Sequence, residues 1–192
     1  MSVDPEGAST QFVEQFVFGK IVKLWLWGAT AVFADVQTYA QIVGDGSTCA
    51  GELAKRKIHG DSGANVLADQ AIVDACLSFQ GVQRDDVLSA GQTLWIDFRY
   101  GRTFLARQRA ERISNALPAL QKQCAEQLTA LQQGVARALS HVASAPLACS
   151  VDGILDEHGQ LWWLELNSNP LFPHHGYNTM LSDLFDLPLV AA

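Results

Sequence analysis

Asp152, Glu165 and Asn167 are three oxygen-bearing side chains gathered in the last quarter of the chain, in or just beyond two short apolar runs. The runs, Leu147 to Leu155 and Leu161 to Leu166, are separated by Asp156-Glu157-His158-Gly159, a polar turn with a glycine free to take positive φ, so they read as a β-hairpin. Such a hairpin sets Asp152 and Glu165 across one ladder, with Asn167 two residues beyond Glu165 on the same strand face. Neighbouring carboxylates repel each other in a partly dry site unless a cation lies between them. Mg²⁺ is often held by one or two carboxylates plus substrate phosphates, and the amide oxygen of Asn167 adds a third, neutral donor. The spacing alone equally suits a polar hairpin with a solvated outer face.

The elements that must position these residues follow from periodicity and punctuation. Residues 1–10, with Pro5 and Gly7 among small polar residues, read as a flexible tail. Phe12 to Val17, Ile21 to Trp27 and Ala31 to Val36 read as strands, punctuated by Gly19 and Gly28. Leu24 and Leu26 alternate with Trp25 and Trp27, so that strand is expected to be covered on both faces. Thr48 is placed to cap a short helix through Lys57, and Asp61 to Gly63 reads as loop. Ala64, Leu67, Ala68, Ala71, Ala75 and Phe79 form a helical stripe, and Gln92 to Phe98 alternates as a strand. From Leu117 to Val142 an apolar stripe recurs at three and four residues, predicting one long helix whose opposite face, with Gln121, Lys122, Glu126, Gln132 and Arg137, is solvated. Strands first, a long helix, then a closing hairpin predict an α+β domain with helices packed on a largely antiparallel sheet.

Composition bounds the function. A chain of 192 residues that is 48% hydrophobic buries one substantial core. A net charge of -7 without a lysine or arginine run excludes a basic footprint for nucleic acid or an anionic membrane surface. With no long apolar run and no basic-then-apolar N-terminus, the expectation is a cytoplasmic protein. Cys49, Cys76, Cys124 and Cys149 are widely spaced and read as buried free thiols.

Asp152, followed in the next strand by Glu165-x-Asn167-x-x-Pro170, resembles the metal signature of the ATP-grasp ligases. Phe12-Val13-Glu14-Gln15-Phe16-Val17-Phe18-Gly19 is similar to the hinge strand of that superfamily. Val43-Gly44-Asp45-Gly46-Ser47-Thr48 with Gly51-Glu52-Leu53 resembles a segment of cyanophycin synthetases and related amino-acid ligases. Leu77-Ser78-Phe79-Gln80-Gly81 and Leu88-Ser89-Ala90-Gly91-Gln92 fall where that subfamily has similar words. The resemblance covers most of the chain and is weakest between Arg99 and Ala145.

The resemblance implies the C-terminal lobe of a carboxylate-amine ligase, akin to cyanophycin synthetases and ribosomal-protein glutamate ligases. In that family ATP converts a carboxylate to an acyl phosphate, which an amine then attacks. Asp152 and Glu165 would hold one Mg²⁺ and Glu165 and Asn167 a second, with Mn²⁺ as the alternative ion. Glu14 would meet the adenine amino group, the backbone of Gln15 and Val17 would complete the adenine edge, and Lys23 would approach phosphate or substrate. His174 and His175 fall where relatives contact substrate, an amino acid or peptide. The residues taken alone allow plainer roles: Glu14 and Lys23 pointing to water, adjacent histidines exposed and neutral, Arg99 and Arg102 as ordinary surface. The departures are specific. Ile21 stands where relatives hold the ribose with an acid, and Gln37 is nearest to an expected arginine. Residues 11–192 therefore read as a partial ATP-grasp domain lacking the N-terminal domain and the lysine-bearing subdomain, either half of a split ligase whose partner chain supplies them or a gene fragment. The other reading is a non-catalytic binding or interaction module that keeps the half-fold.

Overall fold

The computed structural model describes residues 15–62, 70–98, 114–142 and 146–186. Its first elements are the hairpin of β1 (Lys20–Trp27) and β2 (Thr30–Gln37), then β3 (Ala40–Val43), α1 (Ala50–Ser62), α2 (Gln70–Phe79) and β4 (Thr93–Asp97). After these come α3 (Leu117–Gln123), α4 (Ala125–Leu139) and a second hairpin, β5 (Ala148–Leu155) and β6 (Leu161–Ser168). A short 3-10 turn at His174–Gly176 leads into α5 (Tyr177–Phe185). One antiparallel sheet has the order β2-β1-β5-β6, and β3 and β4 form a second. The architecture is α+β, with helices packed on antiparallel sheets.

Strand alternation assigns each face of the larger sheet a different task. Val22, Leu24 and Leu26 of β1 and Cys149, Val151 and Leu155 of β5 point to one side. There they are buried with Leu117, Leu120, Cys124, Leu128 and Val135 of the α3–α4 segment. Each such side chain contributes roughly 2 kcal/mol on leaving water, so this face anchors the sheet. Trp25 and Phe33 on the other face are also buried, against Phe172, so β1 is covered on both sides as its sequence predicts. A separate core joins the smaller sheet to its helices through Ile42, Ala50, Ala54, Val73, Leu77, Leu88, Leu94 and Ile96.

Several boundaries differ from the sequence reading. Residues 15–18 are not a strand. Phe16 and Phe18 turn into an aromatic cluster with Phe79, Trp95 and Phe98, ring centroids 4.8 to 5.9 Å apart, and ring packing replaces ladder pairing. Helix α1 continues through Ser62, where a loop was expected from Asp61. Its first amides are met by loop carbonyls rather than by a Thr48 cap: Ala50 N donates to Asp86 O at 2.9 Å and Gly51 N to Arg84 O at 2.8 Å. The expected single helix from Leu117 is two, broken at Cys124 (φ -128°, ψ 33°), beyond which the apolar stripe simply continues. Gln132 is not plain surface, because its Oε1 accepts from Ala31 N at 2.9 Å on the outer edge of β2. Asn115 Oδ1 does the same for Ala34 N at 3.1 Å, so that edge is capped by side chains. The tail at 1–10, Phe12 to Glu14, Ala64 to Ala68, Arg99 and Arg102 lie outside the described residues.

Candidate metal centre

The predicted hairpin forms with the predicted pairing. Asp156 Oδ1 accepts from His158 N and Gln160 N, both at 2.9 Å, and Gly159 takes φ 80°, which closes the turn in one register. The indole of Trp162 adds a bond to Asp156 Oδ2 at 2.9 Å, and these donors hold that carboxyl below the usual aspartate range. In this register Asp152 lies directly opposite Glu165 and Ser150 opposite Asn167. Across from Asp152 and Gly153 the register skips Leu164, a bulge in β6 beside the acids that faces Gly153. Glycine is required there: a Cβ on Gly153 would stand 2.7 Å from Trp162 O and 2.8 Å from Trp163 Cε3.

Continuing the register across the sheet aligns four charged residues in one row. Asp35 on β2 faces Lys23 on β1, Lys23 faces Asp152 on β5, and Asp152 faces Glu165 on β6. Lys23 Nζ donates to both Asp152 oxygens, at 2.8 and 3.0 Å, and stands 5.7 Å from the Trp25 ring centroid. Lys23 therefore does not point to water; its side chain and that of Asp152 are each 16% exposed. Asn167 Nδ2 donates to Asp152 Oδ2 at 2.7 Å and to Glu165 Oε1 at 3.0 Å. Two residues of this face carried no expectation from sequence. Asp35 is buried, and desolvation pushes its carboxyl up, opposed by hydrogen bonds from Gln37 Nε2 and Val36 N. Ser150 is fully buried, and its Oγ has no hydrogen-bond partner among the described residues. Alternation along β2, with Phe33, Asp35 and Gln37 sharing a face, was the available signal for Asp35.

The three predicted ligands thus converge from two strands, with one amide touching both carboxylates. Rotating the Asn167 amide by half a turn puts Oδ1 where Nδ2 now sits, with no backbone movement. Two carboxylate oxygens and an amide oxygen then face one point, a donor set that fits a hard divalent cation. Among the described residues, no three His, Cys, Asp or Glu side chains are grouped so as to hold a metal ion.

The remaining predicted residues lie around this row rather than in it. Val17 packs with Ile21 and Ile154, the next cross-strand pair beyond Lys23 and Asp152. Gln15 is exposed, and Glu14 lies outside the described residues. His174 is exposed in the 3-10 turn, which packs near β2, at the opposite sheet edge from Glu165; the His175 side chain is outside what is described. Two indoles tie that segment down: Trp25 Nε1 donates to Leu171 O at 2.9 Å and Trp27 Nε1 to Asp183 Oδ2 at 2.6 Å.

The other sequence words meet one another instead. Gly46 N donates to Leu88 O at 3.1 Å and Gly91 N to Gly44 O at 2.9 Å, joining the Val43–Thr48 and Leu88–Gln92 segments. Asp45 accepts from Ser47 N at 2.8 Å, Thr48 N at 2.7 Å and Thr48 Oγ1 at 2.6 Å, which holds its carboxyl far below the ordinary aspartate range. Gln80 pairs its amide with Trp95, donating to its carbonyl at 2.7 Å and accepting from its N–H at 3.0 Å. All four cysteines are free thiols, and burial pushes those of Cys124 and Cys149 up, towards the protonated, inert form.

No protein-family model matches the sequence, and no curated protein sequence matches it. Among solved structures, the chain is similar to a bifunctional glutathione synthetase from Pasteurella multocida, with 17% identity and a TM-score of 0.44. The match covers 89% of this chain and 24% of that protein, so the chain spans about a quarter of its length. Among the described residues, no helix is long and apolar enough to cross a membrane.

Proposed function

We propose that the chain is the metal-bearing lobe of an ATP- and Mg²⁺-dependent carboxylate-amine ligase of ATP-grasp type, acting on an amino-acid or peptide substrate. The observation that carries this reading is the Asn167 amide in contact with both Asp152 and Glu165. Three donors in the order of the family signature are thereby brought within the reach of one cation. When bound, a divalent cation supplies positive charge for the phosphate oxygens of a nucleotide. Asp152, Glu165 and Asn167 would hold it, and the bulge at Leu164 sets the angle at which β6 presents Glu165. The buried face against α3 and α4 keeps the ladder rigid, so the donors need little reorganisation. Val17 beside Ile21 and Ile154 offers an apolar edge next to the charged row, suited to an adenine base. A lysine-bearing lobe, in a partner chain or in the same polypeptide, would clamp the phosphates.

A second reading rests on a specific observation as well. Asp152 is already held by Lys23 and Asn167, which suits a metal-free polar cluster in a non-catalytic interaction module. Calorimetric titration of the chain with Mg²⁺ and a nonhydrolysable ATP analogue separates the two. The ligase reading predicts nucleotide binding that depends on Mg²⁺ and strengthens when the lysine-bearing partner is added. Absence of binding under both conditions assigns the chain to the interaction module.

A further inference from the structure

Lys23 stands in the middle of the cross-strand row, with Asp35 on one side and Asp152 and Glu165 on the other. Three carboxylates and one ammonium share that row, and the ammonium makes two short contacts with Asp152. A divalent cation that approaches Asp152 meets a positive charge already seated there, at 16% exposure where solvent screens it weakly. The Asn167 amide blocks the same point from the other strand with its nitrogen.

We propose that Lys23 is a resident counter-cation that competes with the divalent ion for Asp152. The inference rests on the metal reading of Asp152, Glu165 and Asn167 and adds how that site is held closed and what sets its affinity. In the metal-free state Lys23 and Asn167 neutralise and saturate the acids. In the metal-bound state the ammonium leaves Asp152 and the amide turns over onto the ion.

The test is Mn²⁺ binding to the whole chain, followed by the paramagnetic signal of the free ion, in the wild type and in Lys23→Met and Glu165→Gln. Removing the ammonium should tighten Mn²⁺ binding roughly tenfold, since a unit charge within a few ångströms of a divalent ion is lost. Glu165→Gln should remove it. Because Lys23→Met leaves Asp152 without its cation and risks misfolding, the wild type provides a second readout. Acetylation of Lys23, followed by mass spectrometry, should rise when Mg²⁺ saturates the site. If the wild type binds Mn²⁺ and Glu165→Gln does not, yet Lys23→Met binds no tighter and Lys23 labelling is unchanged by Mg²⁺, the counter-cation role is overturned while the metal site stands. If neither the wild type nor folded Lys23→Met binds Mn²⁺, both the metal reading and this inference fall.

Discussion

Two acidic clusters in this chain accept several hydrogen bonds, but from donors of different kinds. Asp45 is saturated by its own neighbours, the amides of Ser47 and Thr48 and the Thr48 hydroxyl. Asp152 is held by Lys23, which is 129 positions away in sequence, and by an amide from the next strand. Donors on the adjacent backbone cannot leave without unfolding the turn, so Asp45 is architecture. A lysine and a rotatable amide can leave, so Asp152 is exchangeable. Motif resemblance treats both segments alike, and the source of the hydrogen bonds separates them.

The sharpest way to break this contrast is Glu165→Gln. Divalent-cation binding should fall by more than the roughly 100-fold that outer-shell partners cost, measured by Mn²⁺ titration. Glu165 is exposed, so the unfolding free energy should change by less than about 0.5 kcal/mol. A large stability loss with binding intact would reverse the assignment of the two clusters.

Gly153→Ala comes next, because its methyl would collide with the Trp162 carbonyl and the Trp163 ring. Urea unfolding should show a loss of about 2 kcal/mol from this overpacking, with weaker Mn²⁺ binding as β6 shifts. Asp45→Ala should act in the opposite sense to Glu165→Gln, lowering Tm while leaving Mn²⁺ affinity unchanged. Its pH dependence follows from its lowered folded-state value: the stabilisation is present above the ordinary aspartate value and disappears as pH falls through the folded one. The smallest effect is expected at Asp35, whose folded-state value is raised by burial. Its contribution is fully present below the ordinary aspartate value and is lost as pH rises through the higher folded value. Asp35→Asn should remove that slope from a plot of stability against pH, leaving the acid-side slope of Asp45.

The closing hairpin was legible because its turn chemistry is local: Asp156 and Gly159 determine the register that sets Asp152 against Glu165. The sheet and its helical cover were legible for a similar reason, since the alternation in β1 and the apolar stripe ahead of β5 report burial directly. The break at Cys124 was hidden because the stripe stays in phase across it. Strand β3, four residues long, and α5, which has no fully buried residue, carry too little pattern to stand out. In the site, the meeting of Asp152, Glu165 and Asn167 was visible from spacing. The contact of Lys23 with Asp152 was not, because no local signal announces that β1 pairs with β5.

The most direct measurement is anomalous scattering from crystals of the chain soaked in Mn²⁺. The account predicts one peak between Asp152 and Glu165, about 2.1 Å from their oxygens, with Asn167 Oδ1 turned towards it and Lys23 Nζ moved off Asp152. Lys23 and Asn167 Nδ2 still bound to Asp152 at saturating Mn²⁺, with no peak between the strands, would contradict it.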